Sequence, residues 1–140
     1  MKKKTRVLII DDDPTTIRML ESWCQNAGRE VSVAFNGEVG LEKAHDESPD
    51  LILLDLMLPD VGGTQVVRRL RADESTKNIP VIFITVTMGV ELDKGDETME
   101  IDGILYRVFA KPLHRLKLLS EIRKAINRKI NKNPPPVAGS

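Results

Sequence analysis

The chain has 140 residues with 21 basic and 21 acidic side chains, so its formal net charge is zero. No overall field draws it to nucleic acid or an anionic membrane, and its charges must act locally. The length suits one domain, a single cysteine excludes an internal disulfide and fits a reducing compartment, and no apolar stretch nears the ~20 residues of a membrane span. Lys2, Lys3 and Lys4 resemble the start of a signal peptide, but residues 7–10 are too short for its apolar core. The expectation is a soluble, cytoplasmic protein.

Residues 6–10 open as a strand, with Val7, Leu8, Ile9 and Ile10 continuous and branched, as in strands covered on both faces. Asp11-Asp12-Asp13-Pro14 follows. Pro14 suits a first helical position, which makes Asp13 the natural N-cap and leaves Asp11 and Asp12 unexplained. Ile17, Leu20, Cys24 and Ala27 then recur at helical spacing until Gly28. Met19 and Trp23 fall beside that stripe, either as a wide core face or as an apolar patch left for a partner. Residues 31–35 alternate like a strand. Asn36-Gly37 is a turn feeding a helix through His45, with Leu41 and Ala44 inward and His45 facing solvent near the helix end.

Leu-Ile-Leu-Leu-Asp-Leu-Met-Leu-Pro-Asp at 51–60 reads as a fully buried strand that Asp55 interrupts. A carboxylate there is costly unless it sits at the strand's end, where it can cap a loop or meet a metal or donor. A helix over 64–72 turns Val66, Val67 and Leu70 inward and Arg68, Arg69 and Arg71 to a solvated flank. Residues 81–84 form a further strand, ending in Thr85. The acidic stretch 89–100, with Gly95 in its middle, reads as a short or irregular helix offering Val90, Leu92, Met99 and, just beyond it, Ile101 to the core. Gly103 precedes a last strand, 104–110, which delivers Lys111-Pro112. A helix over 113–130 buries Leu116, Leu119, Ile122, Ile126 and Ile130, and the proline-rich residues 132–140 form an extended or disordered tail after a single domain over 1–131.

Five strands alternating with helices predict an α/β, doubly wound, flavodoxin-like fold: a five-stranded parallel sheet with helices on both faces. Ligands of such sheets bind outside the C-terminal ends of the strands. With the order 2-1-3-4-5, Asp11 and Asp12 meet Asp55 there, beside Thr85 and Lys111. Three carboxylates in one pocket call for a cation, and an all-oxygen set suits Mg²⁺ or Mn²⁺. A metal, an ammonium and a hydroxyl together suit a phosphoryl group, which a carboxylate can attack in line without a general base.

Ile-Ile-Asp-Asp-Asp, Leu-Leu-Asp-Leu-Met-Leu-Pro-Asp-Val-Gly-Gly, Ile-Thr-Val-Thr and Ala-Lys-Pro, in this order over about residues 5–130, resemble the receiver domains of bacterial two-component response regulators, of the chemotaxis-regulator single-domain type. The resemblance implies that Asp55 accepts a phosphoryl group from a histidine kinase or phosphotransfer protein. It further implies that Asp11, Asp12, Asp55 and the Met57 carbonyl hold Mg²⁺, that Thr85 and Lys111 bind the phosphoryl oxygens, and that Lys111-Pro112 is cis. Thr15, Thr16, Met19, Ser22 and Trp23 match the family's donor-docking face. Output would go through a downstream protein, with no direct nucleic-acid or membrane contact, from a monomer or weak dimer that is no enzyme beyond catalysing its own phosphorylation and dephosphorylation.

Three departures bear on output, one of them a Thr85 to Lys111 segment a few residues longer than is usual in the family. Val108 stands where the family commonly has a switching aromatic, flanked at one remove by Tyr106 and directly by Phe109, and Val86 replaces a small residue. These predict a displaced or different switch contact. Two alternatives remain: Asp11-x-Asp13-x-Thr15 also resembles the first motif of haloacid-dehalogenase-type phosphatases, with Asp11 as nucleophile, and the chain could be a receiver-like module that is never phosphorylated, its pocket blocked by Val86 or Met57.

Overall fold

The computed structural model describes residues 4–86 and 98–132, with side chains up to 129. In chain order the elements are β1 (Arg6–Ile10), α1 (Pro14–Asn26), β2 (Glu30–Ala34), α2 (Gly37–Glu47), β3 (Leu51–Asp55), α3 (Gly63–Ala72), β4 (Val81–Val86), β5 (Thr98–Ile101), β6 (Ile104–Lys111) and α4 (Arg115–Lys132). The sheet order is β2-β1-β3-β4-β6-β5. The pairs β1–β2, β1–β3, β3–β4 and β4–β6 are parallel, which is the expected 2-1-3-4-5 arrangement with β6 as its fifth strand.

Residues 7–10 and 51–54 are continuous apolar runs because both sheet faces are covered. Leu8, Ile10, Ile52 and Leu54 pack with Val66, Val67 and Leu70 of α3 on one face. Val7, Ile9, Leu51 and Leu53 pack with Ile17, Leu20 and Cys24 of α1 and with Leu118 and Ile122 of α4 on the other. Helix α2 sits close on β1 because Gly40 lacks a side chain: a Cβ there would lie 2.5 Å from Ile10 Cδ1. Buried Cys24 is core, its thiol pushed up to about 11 by desolvation, and so inert as a nucleophile.

Among the described residues the sheet has six strands rather than five. The additional strand, β5, pairs antiparallel with β6 in the register Ile101↔Ile104 to Thr98↔Arg107. Residues 98–100, expected to end an irregular helix, are therefore strand; Val90 and Leu92 lie outside the described residues, as does most of the tail. The hairpin turns on Asp102 and Gly103, at φ 52° and 85°. Two successive positive φ angles are what a two-residue turn matching strand twist requires, and Asp-Gly supplies them at little steric cost. Ile101 is buried as expected, and Met99 packs at the core's margin.

Helix α4 keeps the expected Ile122 and Ile126 in the core and Leu119 at its margin, and departs from expectation at Leu116; the Ile130 side chain lies outside the described residues. Leu118, Ile122, Ala125 and Ile126 form its buried stripe, whereas Leu116 is 65 % exposed. The expected stripe began at Leu116 because its spacing to Leu119 is helical, but the sheet selects Leu118 instead. On α3 the flank is not uniformly solvated. Arg68 and Arg69 pair with Asp102 and Glu38 at the surface, while the Arg71 guanidinium lies 5.5 Å from the Tyr106 ring centroid and donates to the Tyr106 hydroxyl at 3.0 Å. His45 is exposed as expected but has a partner across the α2–α3 groove, Asp73 Oδ2, at 2.8 Å.

Candidate functional site

Register brings the site together. Ile10 pairs with Leu54, Asp55 with Ile84, Thr85 with Ala110 and Val86 with Lys111, so four parallel strands end in one layer. Asp11 follows β1 directly, and its N–H still donates to the Ala34 carbonyl at 3.1 Å, which seats it at the rim with no side-chain exposure. Asp12 beside it is exposed. Asp13 caps α1 as expected, accepting the Thr15 N–H at 3.0 Å and the Thr16 hydroxyl at 2.8 Å, and these bonds hold its carboxyl below the usual range.

Asp11, Asp12 and Asp55 each offer a carboxylate oxygen within 4.8 Å of the others. Lys111 Nζ lies 3.0 Å from Asp11 Oδ2 and 3.9 Å from Asp55 Oδ2. The other Asp11 oxygen accepts the Asp13 N–H at 2.9 Å. Asp55 Oδ1 accepts the Met57 N–H at 3.1 Å. Burial pushes the Asp55 carboxyl up to about 6; the Met57 amide and Lys111 oppose this, and Asp11 and Asp12 add to it. One lysine thus shares itself between two of three clustered carboxylates. The remaining negative charge, on oxygen donors only, fits a hard divalent cation.

Thr85 is buried in the same layer, its hydroxyl reaching the Val86 carbonyl at a long 3.4 Å. Met57 and Val86, suspected of blocking the pocket, are 59 % and 51 % exposed to solvent. Lys111-Pro112 is cis, as expected. On α1, Thr15 and Ser22 are exposed, and Met19 and Trp23 are half-buried against the core. Thr16 is a correction: it is buried with its hydroxyl committed to Asp13, because a residue three places after a cap points back at it.

The position three before Lys111 is Val108, buried among the residues facing α3. Tyr106 shares that strand face one pleat lower. Its ring meets Phe83 edge-on, 5.6 Å between centroids at 77°, and is clamped on its hydroxyl by Arg71. The sequence named Tyr106 only as a neighbour of Val108. Its alternation with Val108 along β6 was the available signal that both face the same way.

Sequence and structure comparisons agree with this geometry. The model of the response regulator receiver domain matches residues 7–123. The chain is similar to the response regulator ArlR of Staphylococcus saprophyticus, 33 % identical over 138 residues, covering 96 % of this chain and 58 % of that one. It is also similar to PilH of Pseudomonas aeruginosa, 40 % identical over 89 residues, covering 64 % of this chain and 73 % of that one. A solved structure of a putative response regulator from Chloroflexus aurantiacus superposes with a TM-score of 0.74 at 26 % identity, covering 90 % of this chain and all of that one. The chain thus spans little more than half of the ArlR relative. With an acidic pocket of the receiver kind at the expected rim, the chain belongs to the response regulator receiver domain family, the phosphoacceptor modules of two-component signalling.

Proposed function

We propose that Asp55 is the phosphoacceptor and that Asp11, Asp12, Asp55 and the Met57 carbonyl hold Mg²⁺. The observation that carries this is the clustering of three carboxylate oxygens within 4.8 Å beside Lys111. Bound there, the cation would offset the charge gathering on the phosphoryl oxygens. The Asp55 oxygen attacks phosphorus, forming an O–P bond as the P–N bond of a donor phosphohistidine breaks and its electron pair returns to the imidazole. Lys111 and Thr85 receive the phosphoryl oxygens. Both Asp11 oxygens are engaged, by Lys111 at 3.0 Å and by the Asp13 amide at 2.9 Å, whereas Asp55 Oδ2 has Lys111 only at 3.9 Å, which favours Asp55 over the phosphatase alternative.

Thr15, Met19, Ser22 and Trp23 would meet the histidine kinase or phosphotransfer protein, and a downstream protein would read the result in the cytoplasm. Among the described residues no helix is long and apolar enough to cross a membrane. With Val108 at the usual switch position and Tyr106 already pinned by Phe83 and Arg71, transmission runs through a contact other than an aromatic rotation beside Thr85. Incubation with acetyl phosphate and Mg²⁺ followed by acyl-phosphate trapping tests the acceptor. Label on Asp55, lost in Asp55→Asn and without metal, is expected; label on Asp11, or an Asp55→Asn variant labelled like wild type, overturns the reading.

A further inference from the structure

The loop over 56–62, Leu-Met-Leu-Pro-Asp-Val-Gly, carries the Met57 carbonyl and contains one polar side chain, Asp60. At its base the loop is held by backbone bonds: Leu56 N–H donates to the carbonyl of Ile84 in β4 at 3.3 Å and Gly63 N–H to the Leu56 carbonyl at 3.0 Å. At its tip it is tied to a different element. Asp60 Oδ1 accepts the Gly37 N–H at 2.8 Å and Oδ2 accepts the Glu38 N–H at 2.9 Å. These are the first two amides of α2, groups that no carbonyl within the helix can satisfy. The side chain of the local N-cap, Asn36, accepts only the Val39 amide, at 2.8 Å. The start of α2 is therefore capped by two residues, one of them from the loop beside the carboxylate cluster.

The fit between loop and helix is close. A Cβ on Gly37 would lie 3.0 Å from Val61 Cβ and 3.2 Å from the Val61 carbonyl oxygen. Glycine at 37 lets the loop approach until the Asp60 carboxylate spans both amides, where the positive end of the helix also favours it. Glu38, held by one of those bonds, continues to Arg69 of α3 at 2.6 Å. The segment bearing the Met57 carbonyl is thus fixed at the base by β3 and β4, and at the tip by α2.

We propose that Asp60 is a positioning residue of the metal centre: by clamping the tip of the loop to α2 it holds the Met57 carbonyl where it completes the carboxylate cluster, and so sets the affinity for the divalent cation. This rests on the reading of Met57 as a ligand. It makes cation binding, and with it phosphorylation, sensitive to how α2 is seated.

Calorimetric titration of the full chain with Mg²⁺, paired with melting of the metal-free protein, tests it. Asp60→Ala should weaken Mg²⁺ binding about 10- to 100-fold, the usual effect of removing a group that orients a ligand. Asp60→Asn, which keeps one acceptor oxygen, should fall between Ala and wild type. Gly37→Ala, pressing on Val61 with Asp60 intact, should weaken binding in the same direction, and it serves where Asp60→Ala fails to fold. Wild-type Mg²⁺ affinity in Asp60→Asn and Gly37→Ala, alongside a lowered melting temperature, would reduce Asp60 to a structural cap and overturn the inference. Asp12→Asn separates the two layers of the argument. Mg²⁺ binding unchanged in that variant would sink the metal centre itself, whereas binding lost there but kept in the Asp60 variants would sink the positioning role alone.

Discussion

β3 and β6 each deliver one side chain to the site, Asp55 and Lys111, but they are held differently. β3 lies between two parallel partners, β1 and β4, and all of Leu51–Asp55 is buried. β6 has β4 on one side and the short antiparallel β5 on the other, and its first residues, Ile104 and Leu105, are exposed. Asp55 is therefore placed by the centre of the sheet, whereas Lys111 is placed by the last four residues of β6 and by its ion pair with Asp11. Substitutions near β3 should strike fold and site together. Those at the start of β6 should leave the site intact.

The largest effect is expected at the centre. Leu53→Ala, at a fully buried position, should cost about 2–5 kcal/mol in denaturant unfolding. Leu105→Ala on β6 should change stability by about 0.5 kcal/mol or less. Comparable losses in the two variants would break the contrast.

A smaller effect concerns pH. Burial raises the Asp55 carboxyl from 3.8 to about 6. The folded chain thus holds this proton more tightly than the unfolded chain, so the metal-free stability from this group is fullest below the unfolded value. It is lost as pH rises through about 6. On the proposed reading Mg²⁺ would have to displace the proton, and its affinity should fall roughly tenfold per pH unit below that point, read by titration between pH 7 and 5. Without metal, Asp55→Asn should melt higher than wild type at pH 7 to 8, with the difference vanishing near pH 4.

Next comes the clamp that ties β6 to α3. Tyr106→Phe keeps the ring against Phe83 but removes the hydroxyl that Arg71 holds, at a cost of about 0.5–1.5 kcal/mol. Asp55 labelling should be unchanged. Loss of labelling would show that the two halves are coupled through this contact.

The smallest effect should come from His45→Ala, which removes the α2 link to Asp73. Asp73 raises the imidazole pKa, and His45 is first among the groups that lower Asp73 to about 2. The ion pair's contribution is fullest between the unfolded values of the two groups. It fades as pH rises through the histidine's folded pKa, and as pH falls towards 2. A melting-temperature difference from wild type at pH 5.5 that shrinks by pH 8.5 is expected.

Much of the acidic half was legible because independent signals coincide there. Residues 7–10 and 51–54 can only be doubly covered strands, Asp13 before Pro14 can be explained as a cap, and Asp11, Asp12 and Asp55 were what remained. The far edge was harder to read. Composition over 89–100 is acidic and carries Gly95, which masked the alternation of Met99 and Ile101, and Asp102-Gly103 went unread as a hairpin turn although it is a strong one. Leu116 and Leu118 both lie near a helical stripe. Arg71, counted with a solvated flank, turned out to be the partner of Tyr106.

The sequence by itself determined which residues had to be buried, where helices could start, and which polar side chains lacked a structural task. These follow from local sterics and from the cost of exposing apolar surface or burying charge, both written residue by residue. The tertiary structure alone decided that a sixth strand extends the edge of the described sheet, that Leu118 rather than Leu116 faces it from α4, and that Thr16 is buried with its hydroxyl on Asp13. It alone decided that Asp60 reaches across to cap α2. Such choices depend on which surfaces and donors distant segments bring within 3 Å of one another, and nothing local in the chain encodes that distance.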